Sequence, residues 1–155
     1  MELTDQDLRW AKEAIGKTGL FTSCSADELM QLLEGLEKQH YRAAATVLFQ
    51  GEISSKLCLV ESGKVSVWAR QGKDRVKVAE LGQNSFFGEI SLLTPRAATA
   101  TIKAEEETDI IYLTGEVVQA LALRNPSLAQ AINAKIEERL QGRKQALDQE
   151  KEKKG

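Results

Sequence analysis

Cysteine and histidine are scarce in this chain, and each scarcity closes off a class of function. Two cysteines, Cys24 and Cys58, lie far apart without metal-ligand spacing, which excludes a disulfide framework and points to a reducing setting. One histidine, His40, leaves nucleophile–base pairs and histidine metal sets without their usual members, so no catalysis is expected. Charge of either sign is not in excess: 21 basic against 23 acidic residues give a net charge of −2, which excludes a field that would gather nucleic acid or an anionic membrane. No apolar run reaches membrane-spanning length. The start Met1-Glu2-Leu3-Thr4-Asp5 has neither the basic opening nor the apolar stretch of a secretion signal, so a cytoplasmic setting is expected.

What is present is a single domain's worth of chain: 155 residues, 42% hydrophobic and 28% charged. Thr4 with Asp5 and Asp7 marks a helix start, and Leu8, Ala11 and Ile15 follow at helical spacing. Ser25-Ala26-Asp27-Glu28 is a capping box ahead of Leu29, Leu32, Leu33 and Leu36. From Tyr41 to about Leu113 the rhythm changes to alternation, punctuated by Gly51, Gly63, Gly72 and Gly82, which predicts short strands in a sandwich or barrel-like roll. Residues 65–70 and 75–81 around Gln71-Gly72-Lys73-Asp74 read as a hairpin. Helical period returns after Gly115. Asn125-Pro126 breaks it, and Ser127 opens a helix over 127–141 along which Leu128, Ile132, Ile136 and Leu140 step by four. That stripe can serve the core or the seam of a homodimer. The boundaries expected are one domain over 1–150, with helices in 1–37, strands in 38–115 and helices in 116–150, then a frayed tail at 151–155.

Residues 86–104 carry the chemistry. An apolar approach ends at Phe87-Gly88-Glu89, Ile90-Ser91 opens a short segment, and Pro95-Arg96-Ala97-Ala98-Thr99 leads into an alternating strand. Gly88 permits close approach of backbone to a ligand. A short helix starting there would aim N–H groups at an anion. Glu89 can accept from sugar hydroxyls, and Arg96 can grip a phosphate through its planar fork.

The order Tyr41, Gly51, Gly63, Leu81-Gly82, Phe87-Gly88-Glu89 and Arg96 to Ala104 resembles the cyclic nucleotide-binding domain family, over about residues 20–126. The resemblance implies an α+β fold: an antiparallel, jelly-roll-like β-roll of about eight strands, flanked by N-terminal helices and a C-terminal helix. It implies a sensor domain without a cofactor, whose ligand is a cyclic mononucleotide, cAMP or else cGMP. Phe87, Gly88, Glu89, Ile90, Ser91, Arg96, Ala97, Ala98 and Thr99 are then the ligand-binding residues. By the same resemblance, Gly88 and Glu89 hold the ribose, an arginine holds the phosphate, and the C-terminal helix closes to signal to a protein effector. Counting without gaps from Glu89 or from Thr101-Ile102-Lys103-Ala104, Ala98 falls at the arginine's position and Arg96 two residues early. Two readings stand. Either a shorter loop and a bulge after Thr99 make Arg96 the clamp, or the clamp position is empty. An alanine after the arginine implies adenine and a hydroxyl implies guanine, so Ala97 points to cAMP in the first reading and Thr99 to cGMP in the second. The alternative to a sensor is a degenerate roll that binds protein and no nucleotide. Too little chain follows Pro126 for a helix-turn-helix domain, so DNA binding is not expected. The sensor reading requires a niche in which main-chain amides, Glu89 and Arg96 face one ligand.

Overall fold

A computed structural model describes residues 2–154, with side chains through Gln141. Helix α1 (Asp5–Lys17) begins at a reciprocal capping box: Asp7 N–H donates to Thr4 Oγ1 (3.1 Å) and Thr4 N–H to Asp7 Oδ2 (2.9 Å). Helix α2 (Ala26–Glu34) repeats the device, with Ser25 and Glu28 exchanging bonds of 3.0 and 3.2 Å. Leu36, expected on that helix face, instead opens strand β1 (Leu36–Tyr41), because Gly35 ends α2.

The strands that follow are β2 (Thr46–Leu48), β3 (Ile53–Ser54), β4 (Lys56–Ser62), β5 (Val65–Gln71), β6 (Asp74–Leu81), β7 (Phe86–Phe87), β8 (Arg96–Ala97), β9 (Thr101–Ala104) and β10 (Thr108–Thr114). They form a four-stranded sheet in the order β1-β10-β4-β7, a second in the order β2-β9-β5-β6, and a small ribbon β3-β8, with every pairing antiparallel. This is the antiparallel roll with flanking helices that the sequence predicts.

Strands β4 and β10 are buried on both faces, which is why their sequence runs apolar without clean alternation. Leu57, Leu59, Ile111 and Leu113 turn toward the helices and pack with Ala11, Ile15, Leu32, Leu121, Leu128 and Ile132. Val60 and Ile110 turn the other way and meet Val65, Phe87 and Ile102 of the roll interior. The β5–β6 hairpin has its expected turn, but β6 is exposed along nearly its whole length. Val76 and Val78 therefore face solvent.

Helix α3 (Gly115–Arg124) follows β10, and α4 (Pro126–Lys154) follows Asn125. Helix α4 exceeds the expected 127–141: it runs through Gly142, whose cost of about 1 kcal/mol relative to alanine does not break a helix of this length. It also runs through 151–154, the segment expected to fray; Gly155 lies outside the described residues. Leu128 and Ile132 are fully buried and Ile136 nearly so, while Leu140 is exposed. The stripe thus serves the chain's own core through its first three members. No helix among the described residues is long and apolar enough to cross a membrane.

Candidate functional site

The site is built where β7 runs into a tight turn. Phe86 and Phe87 pair with Leu59 and Cys58 of β4, so Phe87 enters the roll interior while Phe86 faces the helices. Gly88 follows with φ of +93° and its Cα against the carbonyl oxygen of Lys56, where a Cβ has no room. Glu89–Ser91 then form a single 3-10 turn, with Ser91 N–H and Oγ–H both donating to the Gly88 carbonyl (3.3 and 3.2 Å). The expected helix start is therefore only three residues long, too short to carry the dipole of a true helix N-terminus.

The turn is held from three directions. Leu92 is fully buried beneath it, and its carbonyl accepts from Gln119 Nε2 of α3 (3.3 Å). Gly115 N–H donates to the Ser55 carbonyl (2.6 Å), which ties the start of α3 to the loop before β4. Ile90 packs on the helical side of the core.

Glu89 is 1% exposed, and its Oε1 has no hydrogen-bond partner among the described residues. The ion-pair partner of that oxygen is Arg139 of α4, with Nη1 at 3.3 Å. The guanidinium of Arg139 also lies over the Phe86 ring, 4.2 Å from its centroid. Sequence reasoning missed this residue. A signal was there: Arg139 follows Ile132 by seven and Ile136 by three, so it lies on the buried face of α4.

Arg96 and Ala97 form β8, pairing with Ser54 and Ile53 of β3. The pairing continues through Ala98, whose N–H donates to the Glu52 carbonyl and whose carbonyl accepts from Gly51 N–H, both at 2.8 Å. Arg96, Ser54 and Ala98 thus share one face of the ribbon, and Ala97 and Ile53 the other. Arg96 is exposed, and among the described residues its side chain makes no hydrogen bond or ion pair. Ala98 is half-buried and Thr99 exposed. The expected continuous strand from Arg96 to Ala104 is broken: the backbone bends at Thr99-Ala100 before β9 begins. The structure thus sets Phe87, Gly88, Glu89, Ile90 and Ser91 on one run from β7 into the 3-10 turn. Arg96, Ala97 and Ala98 lie on the β3–β8 ribbon and Thr99 at the bend beyond it, and among the described residues the cation at Glu89 is Arg139.

The remaining polar residues have structural surroundings. His40 Nδ1 lies 2.7 Å from Asp109 Oδ1, and that contact, reinforced by Glu107, pushes its pKa above the ordinary value. Burial pushes the Cys58 thiol up to about 12, and burial with nearby Glu28 raises that of Cys24, so neither is poised as a thiolate. A cavity of about 270 Å³ between α1 and α2, lined in part by Cys24, Phe21 and Leu33, shares no residue with the turn. Trp10 donates to Asn84 Oδ1 (3.3 Å) and Trp68 to Ser66 Oγ (2.8 Å), so both indoles are tied into the fold.

Comparison with known proteins gives one consistent picture. A family model for the cyclic nucleotide-binding domain matches residues 38–125. A cyclic AMP receptor protein of Thermus thermophilus is 31% identical over 131 residues, covering 83% of this chain and 60% of the relative. A cAMP-dependent protein kinase regulatory subunit of Colletotrichum orbiculare is 27% identical over 121 residues, covering 78% of this chain and 30% of the relative. The crystal structure of the Thermus thermophilus catabolite activator protein superposes with a TM-score of 0.69 at 30% identity, covering 84% of this chain and 62% of that one. The chain spans between 30% and 60% of the length of these curated relatives.

Proposed function

The chain belongs to the cyclic nucleotide-binding domain family, and from that premise we propose that it is a sensor for a cyclic mononucleotide, cAMP in preference to cGMP. The ligand-binding residues in this reading are Phe87, Gly88, Glu89, Ile90 and Ser91 from β7 and its turn, with Arg96, Ala97, Ala98 and Thr99 from the ribbon and the bend beyond it. The observation that carries the reading is Glu89: a carboxylate 1% exposed, with an oxygen lacking a hydrogen bond, at the head of a glycine-tightened turn. That oxygen faces the Arg139 charge yet makes no hydrogen bond, so it keeps acceptor capacity to spare. A ribose hydroxyl is a donor of the right kind. The preference for cAMP draws on Ala97 after Arg96 and on the cAMP in the names of two relatives. Signalling would run through α4, which touches the turn through Arg139, to a protein effector or to a second copy of the chain.

Calorimetric titration with cAMP and cGMP, paired with thermal melts, tests this. At 100 times the dissociation constant a ligand stabilises the folded state by about 2.7 kcal/mol. For a domain of this size that is a rise of roughly 5–10 °C in Tm. We expect it with cAMP, smaller with cGMP, and absent in Glu89→Ala.

A second reading has its own support. Glu89 is paired with Arg139, and among the described residues Arg96 makes no ion pair with it and is exposed on the ribbon, as fits a roll kept for protein contacts. Melts unmoved by either nucleotide would select that reading.

A further inference from the structure

We propose that β6 is a self-association edge: two copies of the chain pair their β6 strands antiparallel about a two-fold axis between Lys77 and Val78, with Arg75 of each copy opposite Glu80 of the other. This goes beyond the ligand-binding reading and does not rest on it. The first observation is the unmet backbone. Strand β6 ends the order β2-β9-β5-β6, so β5 is its one neighbour in the sheet. Among the described residues its outward N–H and C=O groups make no backbone hydrogen bond. Seven of its eight residues are exposed, Val76 by 38% and Val78 by 53%. A second strand laid along this edge would bond those groups and take apolar surface out of water.

The second observation is a bulge that fixes the register. Val67 of β5 stands opposite Ala79 and Trp68 opposite Lys77, which leaves Val78 as an extra residue. Alternation along β6 therefore skips once. Val65 and Val67 face the roll interior, so their partners Leu81 and Ala79 do too, and beyond the bulge Val76 and Asp74 follow them. Glu80, Lys77 and Arg75 take the outer face. Lys77 Nζ accordingly lies 3.0 Å from Glu80 Oε1 and over the Trp68 ring. Two strands related by a two-fold axis perpendicular to their sheet can oppose only residues that share a face. With the axis between Lys77 and Val78, Arg75 meets the partner's Glu80, Val76 the partner's Ala79 and Asp74 the partner's Leu81. Each of these pairs shares a face, and without the bulge each would be mismatched.

The third is charge. Strand β6 carries two acids, Asp74 and Glu80, and two bases, Arg75 and Lys77, so the edge itself has no net charge to repel its like. The register sets opposite charges face to face twice, Arg75 against Glu80 in each direction. Moving the axis onto Lys77 would set the two copies' lysines against each other, so the charges select against that slip. Within one chain Arg75 and Glu80 are roughly 15 Å apart along the strand and cannot pair. Arg75 instead lies opposite Arg70 across the hairpin, a like charge that an acid from a second copy would offset.

The test is sedimentation velocity of the full chain over a concentration series, for the wild type, Arg75→Glu, Glu80→Arg and an equimolar mixture of the two variants. Circular dichroism and melting confirm that each variant is folded. The expected result is a wild-type dimer whose dissociation constant rises roughly tenfold or more in either variant alone, because two attractive pairs become two repulsive ones. Mixing the variants restores association, since each then meets the other's matching charge. Glu80 also pairs with Lys77 and Lys64 of its own chain, a loss that persists in the mixture and so is controlled for. A wild type that stays monomeric up to millimolar concentration overturns the proposal. So does a dimer that both variants leave unchanged, or one that their mixture does not restore. If either variant does not fold, hydrogen exchange of the wild type decides. Amides of residues 74–81 are expected to exchange more slowly in concentrated than in dilute solution, and equal exchange overturns the proposal.

Discussion

Arg139 and Glu89 show how much one contact between distant residues can hold. Removing the guanidinium leaves a buried carboxylate without its counter-charge. Arg139 is about one-third exposed, so the cost falls below that of a fully buried pair, at about 1–3 kcal/mol. Urea titration of Arg139→Gln should show it, and adding Glu89→Gln should recover most of it, since the double variant has no orphan charge. His40 makes a smaller, pH-dependent contribution. Asp109 holds its proton in the folded state more tightly than the unfolded chain does, so its pKa is raised on folding. The stability this adds is complete below the ordinary histidine value of about 6.5 and disappears as pH climbs through the raised folded value. Melting curves across that range should show Tm falling with pH, and His40→Gln should flatten the trend. The sequence singles out Phe87-Gly88-Glu89 through the order of motifs from Tyr41 to Ala104, since a Gly-Glu pair by itself is common and usually marks a turn, and the structure places that turn after β7. The spacing of Arg139 from Ile132 and Ile136 puts it on the buried face of α4, but a sequence does not say that it lands on a carboxylate fifty residues away.

Elements were legible where local chemistry dictates them. Both N-terminal helices start at their capping boxes, and the β5–β6 hairpin turns at Gly72-Lys73. They were misread where packing decides. The segment after Gly88 is one 3-10 turn because Leu92 must drop into the core three residues after Glu89. The strand after Arg96 breaks because its first half pairs with β3 and its second with β5 and β2. Helix α1 is locked to the roll by Lys38, whose Nζ lies 3.1 Å from Asp7 Oδ1 and 3.0 Å from Glu61 Oε1. Helix α4 is locked by apolar contact. Ile132→Ala should cost about 2–5 kcal/mol by leaving a cavity beneath it. Leu123→Ser on α3, at a position 87% exposed, should stay within about 0.5 kcal/mol. Chemical denaturation of both variants checks the contrast.

At the scale of the molecule, two apolar layers meet on the sheet containing β4 and β10, one shared with the helices and one inside the roll. Nothing in the sequence announced that this sheet faces both ways; its unbroken apolar runs are explained only once the helices are seen to cover it. The start of α4 is held by hydrogen bonds as well as by apolar packing. Asn125 Oδ1 accepts from Leu128 N–H (3.3 Å), while its Nδ2 donates to the Ser23 carbonyl (3.2 Å) and to Glu28 (3.3 Å). Asn125 thus sets the heading on which α4 leaves, and buried Leu128, Ile132 and Ile136 carry that heading forward. Arg139 lies fourteen residues along, about 21 Å at helical rise, where it meets Glu89. A loop asparagine thereby aligns a charge pair about four helical turns away.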